Sequence, residues 1–250
     1  MNPFEICAAV LLAAFAVCAR FYECSYESLI TAEPSIAQMD AAAGGGPLSA
    51  TLDYTSVENT ENYVHPDSEE LTAVNGHDVV DGDYTQTIDN TNSSFKIKQS
   101  VLDLSGKAVV SVKLVNWRST TGSSYGGMFL TTTHSPGGIT VLDEGTGTGY
   151  RFVIGSGGGV FIQRLVSGTS TDLGSRTTSV DGHDLEARVT IGDTSNSIQI
   201  YRDGVAFGDP IVDDHEDRPT DLACAGFFMR NAFGRTLLIE QFVAAEIVPE

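Results

Sequence analysis

At 250 residues the chain has room for one large β-domain with an appendage, or for two small domains. Its 33 acidic residues against 14 basic ones give a formal net charge of −19. That charge repels nucleic acid and anionic lipid surfaces, and leaves cations, neutral polymers such as glycans, and basic protein surfaces as partners. With 26 glycines between strand-like runs rich in Thr and Ser, the composition points to an all-β body.

The chain opens differently. Ile6 to Ala19 contains no charged or hydrogen-bonding polar side chain apart from its two thiols, and its Ala and Leu content favours a helix. A helix apolar all round needs burial in lipid or in protein, and Ile6, Leu11, Leu12 and Phe15 are its anchoring residues. Its 14 residues span only about 21 Å, short of a bilayer core unless Arg20 snorkels and Phe21 and Tyr22 sit at the interface. Three readings stay open: a retained anchor or assembly helix, a cleaved signal, and a helix packed in the protein core. Val17-Cys18-Ala19 suits cleavage after Ala19, whereas Glu5 and the lack of Lys or Arg before the apolar run argue against a secretory leader.

Cys7 and Cys18 lie close to three helical turns apart and share a face. Cys24 and Cys224 are candidates for a disulfide tethering the N-terminal segment to the body, although connectivity is not readable from sequence. There is no C-x-x-C pair, so a zinc site is not expected. A short helix over Glu33–Ala43, started by Pro34 and ended by Gly44-Gly45-Gly46, leads to a flexible joint. The expected organisation is a helical anchoring segment over 1–46 and a β-sandwich over 47–250.

From Pro47 onward the pattern is strands and turns. Strands are expected at Leu48–Tyr54, Leu71–Val74, Tyr84–Ile88, Ser94–Lys98, Ala108–Trp117, Gly126–Thr132, Tyr150–Ile154, Val160–Val166, Leu185–Ile191, Ser197–Arg202, Leu222–Met229 and Thr236–Ile247. Asn75-Gly76 and Asp81-Gly82 are turn signals, and Gly155–Gly159 is a glycine turn between two strands. Within Ser197–Pro210, alternating apolar residues run up to Arg202, and Asp203-Gly204 then supplies the two positive-φ positions of a tight hairpin.

This hairpin, preceded by Leu185-Glu186-Ala187-Arg188-Val189-Thr190-Ile191 and followed late in the chain by Thr236–Ile247, resembles the concanavalin A-like, laminin-G-like jelly-roll superfamily over roughly residues 105–248. The resemblance implies an all-β, two-sheet antiparallel jelly-roll sandwich in which Leu48–Tyr54 pairs beside Thr236–Ile247. It carries no catalytic signature. Glycoside hydrolases on this fold place carboxylates as Glu-x-Asp-x-x-Glu on one strand face, and no Glu-x-Asp occurs in the chain.

Other catalytic signatures are no stronger. Gly122-Ser123-Ser124-Tyr125-Gly126 matches the G-x-S-x-G elbow in letters only, since no helix pattern follows it. His215-Glu216 lacks the second histidine of a helical zinc-protease motif. The expectation is therefore no enzyme.

Binding residues remain. Asp213, Asp214, Glu216 and Asp217 put four carboxylates into five positions of an expected loop, hard oxygen ligands that suit calcium as readily as the loop suits simple solvation. The related family often holds calcium at a sandwich edge. No other cofactor is indicated. Trp117, Tyr125 and Tyr150 with Arg151 can offer aromatic platforms and a donor to a sugar, or can simply pack in the core. The first functional expectation is a non-enzymatic structural or attachment component displayed on a virion, envelope or extracellular appendage. It would meet other shell subunits or a membrane through its N-terminus. The alternative is a secreted or anchored lectin-like adhesion module that binds glycan, with or without calcium.

Overall fold

The computed structural model describes residues 48–53, 63–64, 77–80, 83–86, 92–97, 99, 101–119, 125–133, 147–155, 157–230 and 237–248. The expected helices at 6–19 and 33–43, the Gly44–Gly46 joint, the strand at Leu71–Val74 and the Gly122–Ser124 part of the elbow-like match lie outside the described residues. Among the described residues no helix is long and apolar enough to cross a membrane.

The described residues form strands and turns. In chain order the strands are β1 (Ser49–Asp53), β2 (Tyr63–Val64), β3 (His77–Val80), β4 (Asp83–Gln86), β5 (Asn92–Ile97) and β6 (Val109–Ser119). Then come β7 (Tyr125–Thr131), β8 (Gly149–Ile154), β9 (Val160–Val166), β10 (Thr169–Arg176), β11 (His183–Thr190) and β12 (Asn196–Arg202). The set closes with β13 (Val205–Ala206), β14 (Ile211–Asp213), β15 (Cys224–Arg230), β16 (Leu237–Ile239) and β17 (Gln241–Glu246). All pair antiparallel, in two sheets. The ten-stranded sheet runs β13-β12-β11-β6-β16-β4-β3, with β17 also on β6, β1 on β17, and β14 sharing an edge of β12. The seven-stranded sheet runs β10-β9-β8-β7-β15-β5-β2. The expected pairing of the first strand with the last is present: Ser49 faces Ala245 and Asp53 faces Gln241.

Alternation decides which residues meet between the sheets. Val110, Val112 and Leu114 of β6, Leu185, Ala187 and Val189 of β11, and Ile198 and Ile200 of β12 turn inward from one sheet. Met128 and Leu130 of β7, Phe152 and Ile154 of β8, and Phe227 of β15 meet them from the other. The Phe227 ring reaches Phe242 of β17 at 5.2 Å between centroids.

Two local devices refine the pattern. Asp203 and Gly204 take φ of 52° and 75°, and Arg202 faces Val205, which is the hairpin their types demand. In β6, Asn116 takes φ of 50° and the pairing with β11 shifts between His183 and Leu185. This bulge adds one residue to the alternation, so Trp117 turns inward where Asn116 otherwise would. The backbone N–H of Asn116 donates to Asp184 Oδ1 at 3.1 Å, and its amide donates to Glu240 Oε1 at 2.5 Å.

The open side of the sandwich is closed by a clasp between sheets. Arg176, at the end of edge strand β10, donates from Nε to the Phe207 carbonyl at 2.6 Å and from Nη2 to the Asp209 carbonyl. Gly208 lies between these acceptors at φ of 79°.

Candidate functional site

Of the four residues read as sugar contacts, the sandwich takes two into its core. Trp117 is buried because of the β6 bulge, and its ring lies so close to Gly126 that a Cβ there would stand 2.5 Å from Cη2. Tyr150 is buried too, so neither ring has a face to offer a ligand. Tyr125 begins β7 opposite Arg230, and Arg151 lies on the outer face of the seven-stranded sheet, as its alternation with inward Tyr150 and Phe152 requires.

Tyr150 belongs instead to a polar cluster between the sheets. Its hydroxyl donates to Asp213 Oδ2 at 2.8 Å and accepts from Asn196 Nδ2 at 2.8 Å. Arg164, an inward residue of β9, pairs through Nη1 with Asp213 Oδ1 at 2.5 Å. The ion pair is nearly dry, with side-chain exposures of 6% and 2%. Burial, with Asp213 adding to it, raises the Tyr150 phenol above its ordinary range, so it stays a neutral donor.

Asp213 is thus the last residue of β14 rather than a loop ligand. It also accepts the His215 backbone N–H at 3.4 Å, while Asp214, Glu216 and Asp217 are exposed. Calcium needs several oxygens converging on one point. Among the described residues no group of three or more His, Cys, Asp or Glu side chains is placed to hold a metal. The four acidic residues proposed from sequence are separated by the burial of one of them.

Among the described residues Cys224 is buried and free, and Cys24, its expected disulfide partner, lies outside them. The Cys224 Sγ lies 3.7 Å from the Ile97 carbonyl oxygen and 3.6 Å from that of Ala225, packed as a small hydrophobe. Burial pushes the thiol up to about 11, against smaller lowering effects of Lys96 and Thr131. The anchoring residues Ile6, Leu11, Leu12 and Phe15 also lie outside the described residues.

The arrangement best suited to a ligand was missed in the sequence. On the outer face of the seven-stranded sheet, Arg151 of β8, Gln163 of β9 and Asp172 of β10 stand side by side in register. Arg151 donates to Gln163 Oε1 from Nε at 3.0 Å and from Nη2 at 2.7 Å, and Gln163 Nε2 donates to Asp172 Oδ1 at 2.7 Å. A guanidinium has only donors, so Gln163 must turn its oxygen to Arg151 and its NH₂ to Asp172. The row ends in an exposed carboxylate beside an oriented amide.

Two positions along β9 on the same face, Phe161 is 46% exposed. A Cβ on Gly155 would come 3.2 Å from Phe161 Cε2, so the ring rests beside bare glycine backbone. The same face also carries Phe129, Phe228 and Leu165, which are buried. Alternation in Val160–Val166 put Phe161 and Gln163 on one face, but no local signal marked that face as polar and partly open.

No family model matches the sequence, and no curated protein matches it. Solved structures do. The chain is similar to the potassium-bound carbohydrate recognition domain of Emp46p at a TM-score of 0.57 and 12% identity, over 79% of this chain and 96% of that one. It is similar to the exoplasmic/lumenal domain of VIP36 bound to Ca²⁺ and Man3GlcNAc at a TM-score of 0.52 and 9% identity, over 80% and 89%. A Bacillus licheniformis beta-glucanase matches at a TM-score of 0.52 and 10% identity, over 82% of this chain and all of that one. At such identities the likeness speaks for the fold alone. The two antiparallel sheets, the pairing of first and last described strands and these structural matches together show a two-sheet, concanavalin A-like jelly-roll fold.

Proposed function

We propose that the chain is a lectin-like, non-enzymatic glycan-binding module that takes sugar on the outer face of the seven-stranded sheet. The observation that carries this reading is the half-exposed Phe161 ring beside the Arg151–Gln163–Asp172 row. A pyranose offers an apolar C–H face and a rim of hydroxyls that donate and accept at once. A phenyl ring suits the first, and a fixed amide N–H next to a carboxylate oxygen suits the second. About 7 Å separates residues i and i+2 along a strand, so one or two sugar rings bridge Phe161 and Gln163. Carbohydrate recognition domains among the structural relatives support the glycan class without naming the sugar.

The test is titration of the protein with a panel of oligosaccharides, repeated for Phe161→Ala. The variant should weaken binding about tenfold, the loss of one stacking contact, with little change in melting temperature because the ring is half in water. Unchanged affinity in Phe161→Ala, or no binding across the panel, would overturn the reading. Display at a surface through the apolar Ile6–Ala19 run accompanies this proposal and rests on sequence alone.

A further inference from the structure

We infer that this face excludes anionic glycans and that Asp172 is the residue that enforces the exclusion, an inference that rests on the glycan reading above. Asp172 is exposed and stands at the open end of the row. The cation nearest to it in the row, Arg151, is buried and turned toward Gln163 Oε1 through two of its nitrogens. Arg164 of the same strand as Gln163 turns into the sandwich toward Asp213, and Arg176 of the same strand as Asp172 is committed to the carbonyls of Phe207 and Asp209. The arginines of β8, β9 and β10 are thus all engaged by the protein itself, and the formal charge presented to a sugar at the row is that of a carboxylate.

A uronic acid or sulfated sugar seated on Phe161 brings its negative charge up to Asp172 in a chain that already carries −19. Like charges brought together at an interface act chiefly against the wrong partner, which is a specificity device. A neutral sugar meets no such penalty, and its hydroxyls donate to the carboxylate oxygen that Gln163 leaves open.

Wild type and Asp172→Asn are titrated with matched neutral and uronate-containing oligosaccharides of the same linkage, at low and at physiological salt. Wild type should prefer the neutral member by about tenfold or more at low salt, and added salt should narrow that ratio. In Asp172→Asn the ratio should fall below about threefold, whatever happens to absolute affinity. Equal affinity of wild type for both members, or a ratio unmoved in Asp172→Asn, overturns the exclusion and leaves glycan binding standing. Failure of both members to bind, with Phe161→Ala indistinguishable from wild type, removes the glycan reading and this inference with it.

Discussion

Asp213 and Cys224 show how far a residue's role departs from its type once its surroundings are known. Asp213 sits in a dry ion pair with Arg164, and such a pair stabilises little over apolar side chains of the same size while punishing the loss of either partner. What it does set is the start of the acidic segment, which it holds through the His215 N–H. Cys224 yields a pH dependence. Its thiol ionises near 9.0 in the ordinary case and near 11 when folded, so the fold favours the protonated form. Stability is then complete below about pH 9 and declines as pH rises towards 11, by an amount on the order of 2–3 kcal/mol for two pKa units. The raised Tyr150 phenol acts in the same direction at still higher pH. Urea unfolding from pH 8 to 11 should show this decline, and Cys224→Ala should make it shallower without removing the Tyr150 part. A slope identical in wild type and Cys224→Ala would refute the assignment.

Among elements, the turns separate local from tertiary demands. Gly204 and Gly208 both take positive φ, 75° and 79°, but a Cβ on Gly204 meets nothing within 4 Å whereas one on Gly208 would stand 2.6 Å from Arg176 Nε. Gly204→Ala should therefore cost only the backbone strain of about 1–2 kcal/mol. Gly208→Ala should cost distinctly more, since it also displaces the guanidinium that joins β10 to the Phe207–Asp209 turn. Chemical denaturation of both variants provides the check, and equal losses would show that the clasp contributes nothing. The same region explains what sequence patterning missed. Thr169–Arg176 has one large apolar residue, Leu173, because an edge strand exposed along most of its length needs no alternating apolar face. Leu185–Ile191 and Ser197–Arg202 were legible because their strands are paired on both sides and buried on one face.

For the whole molecule, the acidic segment makes a prediction about metal. Asp213 is spoken for and Asp214, Glu216 and Asp217 are exposed, so this segment holds no ready-made set of oxygens through which calcium would raise the melting point by mass action. Any melting-temperature difference between added calcium and chelator should therefore be the same in wild type and in Asp214→Asn combined with Glu216→Gln. A rise with calcium that disappears in Asp214→Asn combined with Glu216→Gln would instead show a site assembled by the ion.

The sequence by itself determined the all-β class, the position of most central strands, the Asp203-Gly204 hairpin and the lack of a Glu-x-Asp pair, because periodicity and turn chemistry act over a few residues. It also marked Arg151 and Asp213 as notable. Only the tertiary structure decided that Arg151 reaches Gln163 and Gln163 in turn Asp172 on an outer face, that Asp213 turns inward to Arg164 and Tyr150, and that Trp117 is core. Those outcomes depend on strand register and on one bulge at Asn116, which bring together residues from 9 to 63 positions apart and fix the face each one occupies.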